Sequence, residues 1–469
     1  MSAVPSLRRL ARAVPLLLVL AALLVPASAT HAASSAGTFG ETQVKATYNQ
    51  SLEFSIPFTS DVVPSRVEVR VVFPGAIGPF IAEVLVATTA GTNTLRYTMD
   101  LSAGGHMVPN TTLSISWAAF DTAGSTPVVS DPFTYRYLDT SHDWQTVAGD
   151  IVVVHWYSGS EAFARKAMAI GDKAIADTSS LLGVTETRKI DFYIYGDDAS
   201  FRGALGPGTR ENVGGQAHAD IRTLFALITP DQINDAWVGI VIPHELTHLV
   251  FDTAVKNPYR FPPRWLNEGL AVYLSQGFDA SDRSLVASAV SSGDLIPLTA
   301  LGGQFPTDAQ KTYLAYAESV SAIDYLVGSL GKDALVNLVL AYKAGLTDDE
   351  AFTKALGMDL AAFQQGWLTD LGAKTPTQYG PKPNPSGPLP PGWGAAPGAS
   401  ANPGTSSAPG ATSTPASSGD TAATAAPAPG SGSDSSGSGD VTLILLAIVV
   451  VSGAMLAGLV LAGRRASAP

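Results

Sequence analysis

From residue 37 to residue 140 apolar and polar positions alternate. Val67, Val69 and Val71 share one side of a period-two pattern. Leu95, Tyr97, Met99 and Leu101 repeat it, and so do Leu113, Ile115 and Trp117. Alternation of this kind, broken by turn-rich pieces such as Ala103-Gly104-Gly105, predicts half-buried strands. Several such strands in one domain-sized stretch predict a β-sandwich over 37–140. After Trp144 the texture changes. Ile151 to Trp156 and Ile190 to Tyr195 read as buried strands, and Glu161 to Leu182 has helical spacing. A further strand is expected around Val213 to Leu227, and mostly helical patterns run from Gln232 to Leu371. Strands first and helices later predict an α+β domain over 144–372.

Both ends have another character. Arg8, Arg9 and Arg12 precede an apolar run from Ala13 to Val25, which is short for a bilayer span. Small residues then offer cleavage sites after Ala29 or after Ala33, so 1–33 reads as a secretory signal peptide. From 373 to 440 the chain is Pro, Gly, Ser, Ala and Thr with few large apolar residues. Such a segment buries too little surface to offset its ordering entropy and reads as a disordered stalk. Residues 441–463 carry no charge and are long enough to span a bilayer as a helix, and Arg464 and Arg465 open a short tail, 464–469. By the positive-inside rule the tail is cytoplasmic, which places everything before the helix outside the cell on a single-pass membrane anchor.

Composition removes some function classes. The net charge of −12 argues against nucleic acid as a partner. With no cysteine in the chain, a metal would have to rely on His and carboxylates. The segment His244-Glu245-Leu246-Thr247-His248 lies in an apolar run. On a helix, positions i and i+4 lie one above the other, so His244 and His248 can face one ion, with Glu245 beside them as general acid/base. Seven histidines and 40 acidic residues make such a motif a chance event at roughly 0.01 per chain of this length. Pro243 removes one helical hydrogen bond, so either the helix restarts there or Gly239 leaves room for a kink. No histidine follows His248, which excludes a third histidine ligand downstream. Glu268, in Trp265-Leu266-Asn267-Glu268-Gly269, opens a helical pattern after Pro262-Pro263 and can supply the third ligand; an ordinary acid near a helix N-terminus has the same pattern. His106 and His142 stand isolated and read as surface residues.

HELTH followed by WLNEGLAVYL resembles the gluzincin zinc metallopeptidases, in particular the peptidase MA-like group with its aminopeptidase N-like catalytic core. The resemblance implies a thermolysin-like domain with Zn2+ on His244, His248 and Glu268, and Glu245 as general acid/base. It also implies a peptide or protein substrate. Tyr316 matches the tyrosine of a Tyr-x-Lys-Gly segment that stabilises the oxyanion in the aminopeptidases. Glu318-Ser319 depart from that segment, and Tyr313 is a rival. A second departure bears on substrate. The aminopeptidases carry a Gly-x-Met-Glu-Asn strand whose Glu holds the substrate amino terminus, whereas this chain has Gly214-Gly215-Gln216-Ala217-His218. Such a segment could pair with an extended peptide through backbone groups alone, which favours an endopeptidase. The alternative is a catalytically inert cell-surface binding or adhesion module with a peptidase-like domain.

Overall fold

A computed structural model describes residues 37–376, apart from 87–88, 103–105, 122–126, 207–213 and 258–260. The expected signal peptide, the stalk beyond residue 376, the 441–463 helix, the 464–469 tail and the Ala103-Gly104-Gly105 turn lie outside the described residues. Among the described residues no helix is long and apolar enough to cross a membrane.

The alternating N-terminal stretch forms nine strands: β1 (Thr38–Phe39), β2 (Gln43–Thr47), β3 (Ser51–Ser60), β4 (Arg66–Val72), β5 (Phe80–Val84), β6 (Gly91–Asp100), β7 (Thr112–Phe120), β8 (Val128–Val129) and β9 (Phe133–Arg136). One antiparallel sheet centres on β3, paired with β1, β2 and β6, and the other on β4 and β7, with β5, β8 and β9 attached. Leu52, Phe54, Ile56 and Leu95 of the first sheet and Val67, Val69, Leu113, Ile115 and Trp117 of the second fill a single core. That interleaving is the sandwich the period-two pattern predicts.

The second sheet system runs β10 (Gln145–Ala148), β11 (Val152–Trp156), β12 (Ile190–Tyr195), β14 (Thr223–Leu227), β13 (Gly215–His218) in spatial order. β11, β12 and β14 are parallel, and β10 and β13 pair antiparallel at the two edges. Helix α1 (Glu161–Leu182) makes the crossover between β11 and β12, started by the Ser160 side chain accepting from the Phe163 N–H and stopped by Gly183 in the left-handed region. The strand expected around 213–227 is a hairpin instead. Ala219-Asp220 turn the chain, and Arg222 takes a positive φ of 49° before β14 begins. Residues with one apolar texture thus form two strands, because a tight turn needs little sequence to declare it.

The sheet is buried on both faces, which is why Ile190 to Tyr195 lacks clean alternation. Val154, Phe192, Ile194 and Ala226 join the main core under α1 and α3 (Val238–Val255). Tyr193, Tyr195 and Phe225 pack on the other face with Phe201 and Leu205 of α2 (Asp198–Leu205). Helices α4 (Arg264–Ser275), α5 (Ala280–Ser292), α6 (Ala309–Leu330), α7 (Lys332–Ala341), α8 (Asp348–Leu356) and α9 (Leu360–Asp370) complete the domain.

The sandwich is joined to the sheet by polar contacts. The Asn49 amide donates to Gly203 O, and His106 Nε2 lies 2.9 Å from Ala204 O. Asn110 and Arg136 both reach Asp191. His142 stacks on Tyr157 with 3.7 Å between ring centroids. Neither His106 nor His142 is the surface residue expected. Both are half-buried, because their rings serve as packing at or near the joint between domains.

Candidate metal centre

α3 continues through Pro243, so the helix does not restart there. Space beside Gly239 is open, and the Thr247 hydroxyl donates to Pro243 O at 2.8 Å. The apolar residues around the motif hold α3 in the core: Ile242, Leu246 and Leu249 are fully buried. The packing of these neighbours fixes the direction in which the two histidines point.

α4 starts after Pro263 and runs beside α3 and α6. A Cβ on Gly269 would lie 2.5 Å from Ser319 O of α6, so only glycine permits this approach. The close contact brings Glu268 to the two histidines. His244 Nε2 and His248 Nε2 are 3.3 Å apart, and Glu268 Oε2 is 3.7 Å from the first and 3.5 Å from the second. Donor atoms at about 2.0–2.1 Å from one tetrahedral ion sit about 3.3 Å from each other. The three residues therefore fit a zinc ion with one position open. Among the described residues they form the one His/carboxylate group of this geometry.

Two further residues orient these donors. His248 Nδ1 lies 2.9 Å from Asn267 Oδ1, which turns Nε2 towards His244 and Glu268. Arg264 donates to Glu268 Oε1 through Nε at 3.1 Å and approaches it through Nη2 at 3.0 Å, leaving Oε2 towards the histidines. Its guanidinium also lies over the Phe305 ring at 4.9 Å. Both precede Glu268 within one helical turn, yet neither announces its role, since the contact depends on the rotamer that packing selects.

The electrostatics favour a positive charge at the centre. Burial opposes charge on His248, but the Glu268 carboxylate overcomes it and the ring is pushed up to about 9. Burial likewise opposes ionised Glu268, and the His248 and His244 rings outweigh it, holding the carboxyl well below its ordinary value. Tyr316 of α6 packs with its ring 6.5 Å from His244 and edge-on to Phe305. Burial, and then Glu268, push its phenol above the ordinary range, so it keeps its proton. Tyr313 precedes it by about one turn of the same helix. Glu318 departs from the expected lysine for a structural reason: it is fully buried and accepts from the Ile296 N–H at 3.0 Å.

Glu245 turns to β13. Its Oε2 accepts from the Ala217 N–H at 3.0 Å, and a Cβ on Gly215 would come within 3.1 Å of its Cγ. β13 is the edge of its sheet, as a peptide-pairing strand must be. His218 at its end is largely buried, its Nε2 has no partner, and burial lowers it to about 4 against the pull of Asp220.

Residues 170–373 match the model of the Peptidase MA superfamily, over the domain whose motif resembles the gluzincins. Among solved structures, an aminopeptidase N family protein from Idiomarina loihiensis is 12% identical, with 71% of this chain and 78% of that one covered and a TM-score of 0.39. An M1 zinc metallopeptidase from Deinococcus radiodurans is 13% identical, with 70% and 91% covered and a TM-score of 0.32. At these scores neither likeness adds to the case made by the site. No curated protein matches the chain.

Proposed function

We propose that this chain is a membrane-anchored extracellular zinc metallopeptidase that cleaves internal peptide bonds. The observation that carries the reading is the convergence of His244 Nε2, His248 Nε2 and Glu268 Oε2 beside Glu245. His244, His248 and Glu268 are the metal ligands, Asn267 and Arg264 orient them, and Glu245 and Tyr316 are catalytic. A bound zinc ion supplies Lewis-acid activation of the scissile carbonyl and of the attacking water. The Glu245 carboxylate takes the water's proton at one oxygen while Ala217 N–H steadies it, then hands that proton to the leaving amine nitrogen. The protonated Tyr316 phenol donates to the oxygen that gains charge as the carbonyl turns tetrahedral. The backbone of β13 aligns the substrate as an added strand.

The endopeptidase preference rests on Gly214-Gly215-Gln216-Ala217-His218, in which no carboxylate stands ready to hold a substrate amino terminus. Location outside the cell rests on the basic-apolar start, the stalk composition and the Arg464-Arg465 pair after 441–463. The test uses the detergent-solubilised full chain. Glu245→Gln is expected to retain zinc and lose hydrolysis of blocked peptides by about 10²–10⁴-fold. A Gln variant as active as the parent, or a parent chain that binds no zinc, sinks this reading in favour of an inert binding module.

A further inference from the structure

Beyond the end of β13 lies a crevice of about 240 Å³ that belongs to neither domain alone. Phe73, Pro74 and His106 of the sandwich form one wall, and His218, Ala219 and Asp220 of the β13–β14 turn form the other. The walls are seated on each other. Gly75, at φ +73°, is so close to Asp220 that a Cβ there would sit 2.5 Å from the carboxylate carbon. His106 is tied to the Ala204 carbonyl, as described above.

The crevice is continuous with the strand that touches Glu245. Because backbone groups alternate along a strand, the outward N–H of Ala217 implies that Gly215 also turns its N–H and C=O to the side of β13 that no described strand pairs. Gly214 faces inward, its carbonyl accepting from Leu227 N–H at 3.0 Å. A peptide added antiparallel to this edge places one bond beside Glu245 and carries its N-terminal part past His218 towards Asp220. At about 3.3 Å per residue, the two or three positions from Ala217 to Ala219 and Asp220 span about 7–10 Å. Side chains alternate too. Gly215 faces Glu245 and Val241 of α3, whereas the His218 ring packs edge-on to Phe225 on the sandwich side. A substrate side chain directed to that side enters the crevice.

We infer that this crevice is a subsite for a Lys or Arg side chain two or three residues N-terminal to the scissile bond. The inference rests on the peptidase reading and adds a substrate class to it. Phe73, Pro74 and Met107 offer apolar wall to the methylenes of a long basic side chain. Asp220 is exposed, and no Lys or Arg pairs with it among the described residues. It is the acceptor for the charged end. The His218 ring, lowered to about 4, adds no opposing charge at neutral pH.

The experiment uses the zinc-loaded full chain and internally quenched peptides that differ only at the second and third residues N-terminal to the cleaved bond. Arg at one of these positions is expected to raise kcat/KM at least tenfold over Glu. Asp220→Asn brings the ratio close to one, and Asp220→Lys inverts it. The same peptides are titrated against Glu245→Gln by fluorescence anisotropy, where the same order of affinities is expected without turnover. Equal ratios in the parent and both Asp220 variants, or a basic preference only on the C-terminal side of the bond, overturn the subsite. If no peptide is cleaved, the peptidase reading fails, and the anisotropy ratios still decide whether the crevice selects basic side chains.

Discussion

Two clusters in this molecule combine histidine, carboxylate and arginine, and they are built to opposite ends. At the joint between the domains, Asp191 receives His155 Nε2 at 2.7 Å on one oxygen, and Asn110 Nδ2 at 3.0 Å and Arg136 Nη2 at 2.8 Å on the other. The second His155 nitrogen meets the Thr146 hydroxyl at 3.0 Å. Arg136 Nε in turn donates to Asn110 Oδ1, so the members also satisfy one another. Burial works against the Asp191 charge, yet His155, Asn110 and Arg136 outweigh it and hold the carboxyl below its ordinary value. At the candidate metal centre the outer nitrogen of His248 and the outer oxygen of Glu268 are likewise satisfied, by Asn267 and Arg264. The inner atoms, His244 Nε2, His248 Nε2 and Glu268 Oε2, instead converge on one point. A positive charge, either a metal ion or the proton that the raised His248 ring carries, must sit among them, so convergence on one point, and not the residue types, separates this candidate centre from the structural cluster.

The sharpest test of this difference removes one member from each cluster. His248→Ala is expected to weaken zinc binding on the order of a thousandfold, read by chelator competition and metal analysis. Asp191→Ala leaves zinc content unchanged but strands Arg136 and Asn110. Since Asp191 is partly exposed, the cost is about 2 kcal/mol in denaturant unfolding. Zinc loss from the Asp191 variant would erase the distinction. Next in size are Asn267→Ala and Arg264→Met, each expected to lower zinc affinity by about 10–100-fold with the fold intact. Arg264→Lys is expected to recover only part of this, because a lysine lacks the guanidinium fork.

The smallest effect belongs to His218, which neither cluster uses. Its folded value of about 4 lies below the free value of about 6.5, so protons favour the unfolded chain. The stability it contributes is complete above about pH 6.5 and is lost as pH falls towards about 4. His218→Phe is therefore expected to flatten the fall in melting temperature over that window by about 2–4 °C. An unchanged slope would show that the ring is not held neutral in the folded chain.

Where the pattern of side chains is local, the sequence was a sufficient guide. Glu161 to Leu182 forms the helix its spacing predicts, to the residue, since Ser160 and Gly183 mark its ends. Val67, Val69 and Val71 are fully buried, as their alternation requires. The hairpin at 215–227 was not legible, because one texture covers both strands and the turn rests on backbone angles at Arg222. The parts of Arg264 and Asn267 were equally hidden. Each is an ordinary polar residue until α4 is set against α3.

By itself the sequence determined the donors: two histidines one helical turn apart, a glutamate beside the first, and no cysteine to compete. It also set the strand and helix periods that bury one face of each element. Only the tertiary structure decided that Glu268 reaches those histidines, through the 2.5 Å approach that Gly269 alone allows against Ser319. It alone put β13 at a sheet edge with Ala217 on Glu245, and seated the sandwich against Asp220. Periodicity is a property of neighbours along the chain. Convergence depends on which distant surfaces pack, and no residue carries that information by its own identity.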